Sequence, residues 1–145
     1  MTFEFKFVIF ISTMSDLGET FFTSVGCMDG RVQAPIAKYG QNRYGVLFPD
    51  TITEAGLVGL LANNPSSDLL EAIKKKVLIS VEKHHSKGII VHGHQGCAGN
   101  PVEDLRHKAE TKKAAEIIKT FVPAELEVKP VFVNKTEHGW IVEEL

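Results

Sequence analysis

Two short segments hold most of the side chains in this sequence that could do chemistry. Gly26-Cys27-Met28-Asp29-Gly30-Arg31 follows one apolar run, and His92-Gly93-His94-Gln95-Gly96-Cys97 follows another. Together they contain both cysteines, an acid, an arginine and two of the six histidines. Thiolate and imidazole are donors that zinc binds at about 2.3 Å and about 2.0–2.1 Å, in a tetrahedron. A His-x-x-Cys spacing across a glycine-bearing turn lets His94 and Cys97 reach one ion. Three protein ligands would leave the fourth position to water, whose pKa zinc lowers to about 7. The same residues also allow blander readings. The cysteines could be inert core groups or a Cys27–Cys97 disulfide, and Asp29 with Arg31 could be a plain turn and ion pair. A reducing compartment disfavours the disulfide, and the joint placement at two strand ends favours a metal. A phosphate-cradling cysteine loop is excluded, because the step from Cys27 to Arg31 is too short.

These residues need a scaffold that brings two strand ends together. Apolar, β-rich runs are expected over residues 21–25, 44–48, 88–92 and 128–133, with a last short strand at Trp140-Ile141-Val142. Pro49-Asp50 should stop the second run. Pro130 should place the fourth at a sheet edge, since proline cannot donate to a central ladder. Helical periodicity occupies residues 53–61 and 68–85, the latter with Leu69, Leu70, Ile73, Val77 and Val81 on one stripe and an Asp68/Glu71 capping box. Asn100-Pro101 reads as a helix start, continuing through Val102, Leu105, Ala109, Ile117, Ile118 and Phe121 to about Pro123. That helix would aim its partially positive end at Cys97 and favour the thiolate. Strands alternating with helices predict an α/β fold, a mostly parallel central sheet of about four strands flanked by helices. Ligands of such sheets gather outside the carboxyl ends of the strands, where both segments fall.

Bulk properties narrow the function classes. A chain of 145 residues is expected to form one domain spanning 1–145 and to bury a core without staples. A net charge of −2, with no basic run interleaved by aromatics, argues against nucleic acid as a partner. Lys74-Lys75-Lys76 spreads around a solvated helix face. Phe7-Val8-Ile9-Phe10-Ile11 is too short for a membrane span and lacks a basic leader, so the expectation is a cytoplasmic protein without membrane contact. A start at Met14 would make residues 1–13 an N-terminal extension or a strand that touches a partner.

Cys27-Met28-Asp29-Gly30-Arg31 followed downstream by His94-Gln95-Gly96-Cys97 resembles the two signature motifs of the β-class carbonic anhydrases, and the element order resembles that family over residues 21–133. The resemblance implies zinc (Zn2+) bound by Cys27, His94 and Cys97. It also implies a catalytic dyad of Asp29 and Arg31, in which the carboxylate orients a zinc-bound hydroxide toward carbon dioxide and the arginine keeps that carboxylate off the metal. In a closed alternative, Asp29 itself becomes the fourth ligand. A homodimer or higher homo-oligomer is implied as well. The chain departs from the family in its length, in lacking a helical N-terminal arm, in Gly30 where serine is usual, and in residues 48–56, which lack an asparagine-alanine-glycine pattern.

The expected activity is therefore carbon dioxide hydration to bicarbonate by a zinc-dependent, carbonic anhydrase-like lyase. The alternatives are a non-catalytic zinc-binding module and a hydrolase of carbonyl sulfide or carbon disulfide. Ile36, Val58 and Leu61 are candidate walls of a substrate pocket. His92 shares a strand face with His94 and is expected to pack or support rather than bind, while His84, His85, His107 and His138 are expected at the surface.

Overall fold

The computed structural model describes residues 18–145, so the apolar run at residues 7–11 and the alternative start at Met14 lie outside the described residues. The elements in chain order are β1 (Phe21–Cys27), α1 (Gly30–Tyr44), β2 (Phe48–Glu54), α2 (Leu57–Ala62), α3 (Ser67–Lys83), β3 (Ile89–His94), α4 (Asp104–Lys119), β4 (Val128–Thr136) and β5 (Gly139–Glu144). They form an α/β fold around one five-stranded sheet of order β2-β1-β3-β4-β5. All neighbours run parallel except β5, which returns antiparallel on β4. The chain leaves β1 for β2 on one side and later places β3 on the other. The topological switch therefore falls between β1 and β3, the two strands that lead into Cys27 and His94.

Side chains alternate across each strand, and so build two cores. Ile89 and Val91 join Val25, Ile52, Leu57, Leu61, Ile73, Val77 and Ile118 beneath α2, α3 and α4. Ile90 faces the other way, with Phe22, Val32, Ile36, Val131 and Val133. Strand β3 is buried along its whole length. It therefore reads as a continuous apolar run over Ile89–Val91 before giving way to His92 and His94.

Several sequence expectations are corrected. The second strand is not residues 44–48: Tyr44 ends α1, where Gly45 takes the left-handed conformation (φ 63°, ψ 40°) and its N–H closes on the Gln41 carbonyl. Strand β2 starts at Phe48 and runs through Pro49. It is the outer strand, and Phe48 N–H already turns inward to the Thr20 carbonyl. The next nitrogen, that of Pro49, faces away from β1 and costs no ladder bond. Thr53 and Glu54 complete β2, so the following helix is only Leu57–Ala62. Strand β4 lies inside the sheet, not at its edge. Pro130 is tolerated because the β5 pairing ends at Val131, and Leu145 N–H meets the Pro130 carbonyl just beyond it.

The helices also shift. Ser66, not Asp68, caps α3, its hydroxyl accepting from Leu69 N–H at 3.2 Å. The last helix begins at Asp104 rather than Asn100, and its inner face carries His107, Glu110, Thr111, Ala114, Ala115 and Ile118 while Leu105 is 83% exposed. Helix α1 is not announced by the pattern at all. Pro35 removes one interior hydrogen bond, and its buried face is only Val32, Ile36 and Gly40. Gly40 is needed there because a Cβ would lie 2.2 Å from the Phe22 ring.

Candidate metal centre

Strand β1 ends at Cys27 and passes directly into α1 through Asp29, whose carboxylate caps the helix by accepting from Arg31 N–H at 2.9 Å. Strand β3 ends at His94 and turns at Gly96, a positive-φ glycine, to present Cys97. Gln95 pins that turn from both sides. Its N–H reaches the Val133 carbonyl, its amide nitrogen donates to Asp104, and its amide oxygen accepts from Lys135 N–H.

The result is a buried group of Cys27 Sγ, Cys97 Sγ and a His94 ring nitrogen, all within 4.8 Å of one another, that could hold a metal ion. Both cysteines are free thiols with sulfurs 3.7 Å apart, so the disulfide reading does not hold; a bonded pair lies at about 2.05 Å. Thiolates on one tetrahedral zinc, each at about 2.3 Å, would stand about 3.8 Å apart. The imidazole is also oriented. His94 Nδ1 lies 2.9 Å from the Gln95 carbonyl and takes the donor role there, which leaves Nε2 with its lone pair free. That nitrogen is buried and has no hydrogen-bond partner among the described residues. A backbone carbonyl that fixes the tautomer of a ligating histidine is the usual outer support of such a ligand. The donor set fits the ion.

The two thiols interact directly, Cys97 Sγ donating to Cys27 Sγ at 3.7 Å. Burial and the neighbouring Cys27 push the Cys97 thiol up, only partly opposed by the N–H groups of Gly99 and Asn100. Gly56 ties the two cysteine segments: its N–H donates to Cys27 Sγ at 3.4 Å, and its position allows no side chain. It sits at φ 64°, and a Cβ there would lie 2.3 Å from the Gly99 carbonyl oxygen.

Asp29 and Arg31 stand together at the rim. Arg31 Nη2 meets Asp29 Oδ2 at 2.7 Å and Nε meets Oδ1 at 3.0 Å, a two-pronged grip, and Nη2 also donates to the Gly96 carbonyl at 3.2 Å. Hydrogen bonding by Arg31 holds the Asp29 carboxyl down at about 2, against the opposing effect of burial. Asp29 is thus an anion throughout the neutral range. Its Oδ2 lies 3.9 Å from His94 Nε2. The carboxylate thus stands beside the donor group without belonging to it.

Three supporting features escaped the sequence. Trp140 opens β5, sets its ring 4.9 Å from the Arg31 guanidinium carbon, and turns edge-on to His94 at 6.3 Å. Glu110 is buried in α4 and accepts from the Asn100 and Asn63 amides. Burial alone would raise its carboxyl, but those amides and Arg106 bring it below the ordinary value. Asn100 in turn fills the space over Gly59, fixing the loop behind Cys97. Asn100 caps no helix, contrary to expectation, and its side chain donates instead to Glu110.

The other candidates fall elsewhere. His92 is fully buried on the face of His94, its ring against Gly26, where a Cβ would lie 2.3 Å away. Burial holds it neutral, lowering its pKa to about 3. It is not in the three-atom group. Ile36 belongs to one core and Val58 and Leu61 to the opposite one, all fully buried, so these three do not line a common pocket. His107 is buried against Gly93 and Phe132, contrary to expectation. His84, His85 and His138 are exposed as expected, with His84 paired to Asp50.

No helix among the described residues is long and apolar enough to cross a membrane. No curated protein matches the chain. A family model described as "Putative carbonic anhydrase" matches residues 17–144, nearly the whole chain, and its span takes in both strand ends and the β4–β5 hairpin. On that match, the chain belongs to this carbonic anhydrase family.

Proposed function

We propose that the chain holds one zinc ion through Cys27 Sγ, His94 Nε2 and Cys97 Sγ and hydrates carbon dioxide to bicarbonate. The observation that carries this reading is a two-thiol, one-imidazole donor set with a carboxylate held beside it, but not in it, by a guanidinium. Zinc, when bound there, supplies a Lewis acid that brings a water's pKa to about 7. The protein's own groups do the rest. Asp29, anionic and fixed, accepts a hydrogen bond from the attacking water and turns its lone pair toward the carbon of carbon dioxide. The proton released as bicarbonate forms passes to solvent or buffer. Arg31 holds the carboxylate out of the donor set, preventing a collapse that would close the site.

A closed structural site has no use for a guanidinium that restrains a fourth donor, which favours an enzyme over a silent zinc module. The test is carbon dioxide hydration by stopped flow on metal-quantified protein. Activity should rise as one group near neutral pH or above deprotonates, with about one zinc per chain. Stoichiometric zinc with no hydration, but with hydrolysis of carbonyl sulfide, would move the substrate and keep the site. No turnover of either would leave a non-catalytic module.

Self-association is part of the same reading. Leu47 and Phe48 lie exposed at the outer strand β2, and Met28 lies exposed beside Cys27. Apolar groups at a sheet edge and at a site rim are better covered by a second copy than by water. Sedimentation equilibrium should give a dimer or larger at micromolar concentration; a monomer there would remove this element.

A further inference from the structure

The site's arginine is held on one side by charge and on the other by an aromatic face. Arg31 has a side chain that is 51% exposed, and an ion pair that open to water is weakly ordered by charge alone. Its guanidinium, however, lies with its carbon 4.9 Å from the Trp140 ring centroid. Trp140 reaches this place because β5 folds back on β4, pairing Trp140 with Lys135 next to the Gln95 turn. The same ring meets the His94 imidazole at 75°, edge to face. It is the chain's only tryptophan. Resting on the carbonic anhydrase reading above, the geometry points to Trp140 as a positioning residue: its ring fixes the Arg31 guanidinium in the pose that grips Asp29 and keeps the fourth donor position open.

A ring of this kind could also serve only as apolar cover, since Tyr39, Val142 and Trp140 all pack on the same core. The two roles separate by chemistry. Cover requires volume, whereas a guanidinium platform requires a π face. Trp140→Phe keeps the face, and Trp140→Leu keeps apolar bulk without it.

The experiment uses the full chain loaded with cobalt(II), whose visible spectrum reports the ligand set, and azide as the probe of the fourth position. Wild type and Trp140→Phe should respond to azide at similar concentrations. Trp140→Leu should need about three- to tenfold more, as Asp29 competes for the position, and its kcat/KM for carbon dioxide should fall by a like factor at unchanged metal content. Arg31→Leu should mask the effect, so that adding Trp140→Leu to it changes nothing further. A Trp140→Leu protein that matches wild type in both readouts, or a double variant with additive losses, overturns the proposal.

If Trp140→Leu does not fold, the wild-type tryptophan decides. Its emission should change in Arg31→Leu, and an unchanged emission overturns the contact. Wild type that takes up cobalt but does not hydrate carbon dioxide defeats the activity reading alone, because the azide titration still judges Trp140. Wild type that takes up no cobalt defeats both.

Discussion

Cys97→Ser protein is expected to lose its zinc and with it any hydration of carbon dioxide. A serine hydroxyl is far too weak an acid to replace a thiolate, and a buried site offers no substitute donor at that corner. The affinity loss should exceed the roughly 10–100-fold that removal of a mere supporting residue costs. Stability should fall with it, because metal binding that selects the folded state adds its free energy to folding. The check is zinc content after gel filtration, together with thermal melts with and without a chelator. Wild type should melt well above the variant when zinc is present, and the gap should shrink when it is removed. A variant with full zinc would remove Cys97 from the ligand set.

Asp29→Ala should separate binding from turnover. Cys27, His94 and Cys97 remain in place, so zinc content is expected to match wild type. What disappears is the anion that, in the proposed mechanism, orients the attacking water, and that stands 3.9 Å from His94 Nε2. Loss of one preorganised hydrogen-bonding partner of a reacting atom costs about 10²–10³ in rate, and that is the expected fall in kcat/KM at equal zinc loading. Stopped flow on the two metal-quantified proteins decides it. An Asp29→Ala protein with undiminished activity would make the Asp29–Arg31 pair structural.

The centre was more legible than its surroundings, for a local reason. Cys27, His94 and Cys97 each lie within three residues of a strand end, and strand ends follow from short apolar runs bounded by glycine. The carboxyl-end rule then brings the two segments together. The groups that orient the centre are reached only through tertiary contact. Gly56 meets Cys27 from 29 residues away and Trp140 meets Arg31 across the sheet, and no spacing in the sequence announces either. Helix α1 was hidden because Pro35 and Gly40 spoil the helical pattern where the sheet needs a close approach to Phe22. Pro130 misled in the other direction, since an interior strand can hold a proline wherever its neighbour's pairing ends.

Zinc K-edge X-ray absorption on wild-type protein carrying one equivalent of zinc tests the central claim most directly. The account predicts two sulfur neighbours at about 2.3 Å and two nitrogen or oxygen neighbours at about 2.0–2.1 Å. A first shell without sulfur, or zinc that leaves on simple dialysis, would contradict it.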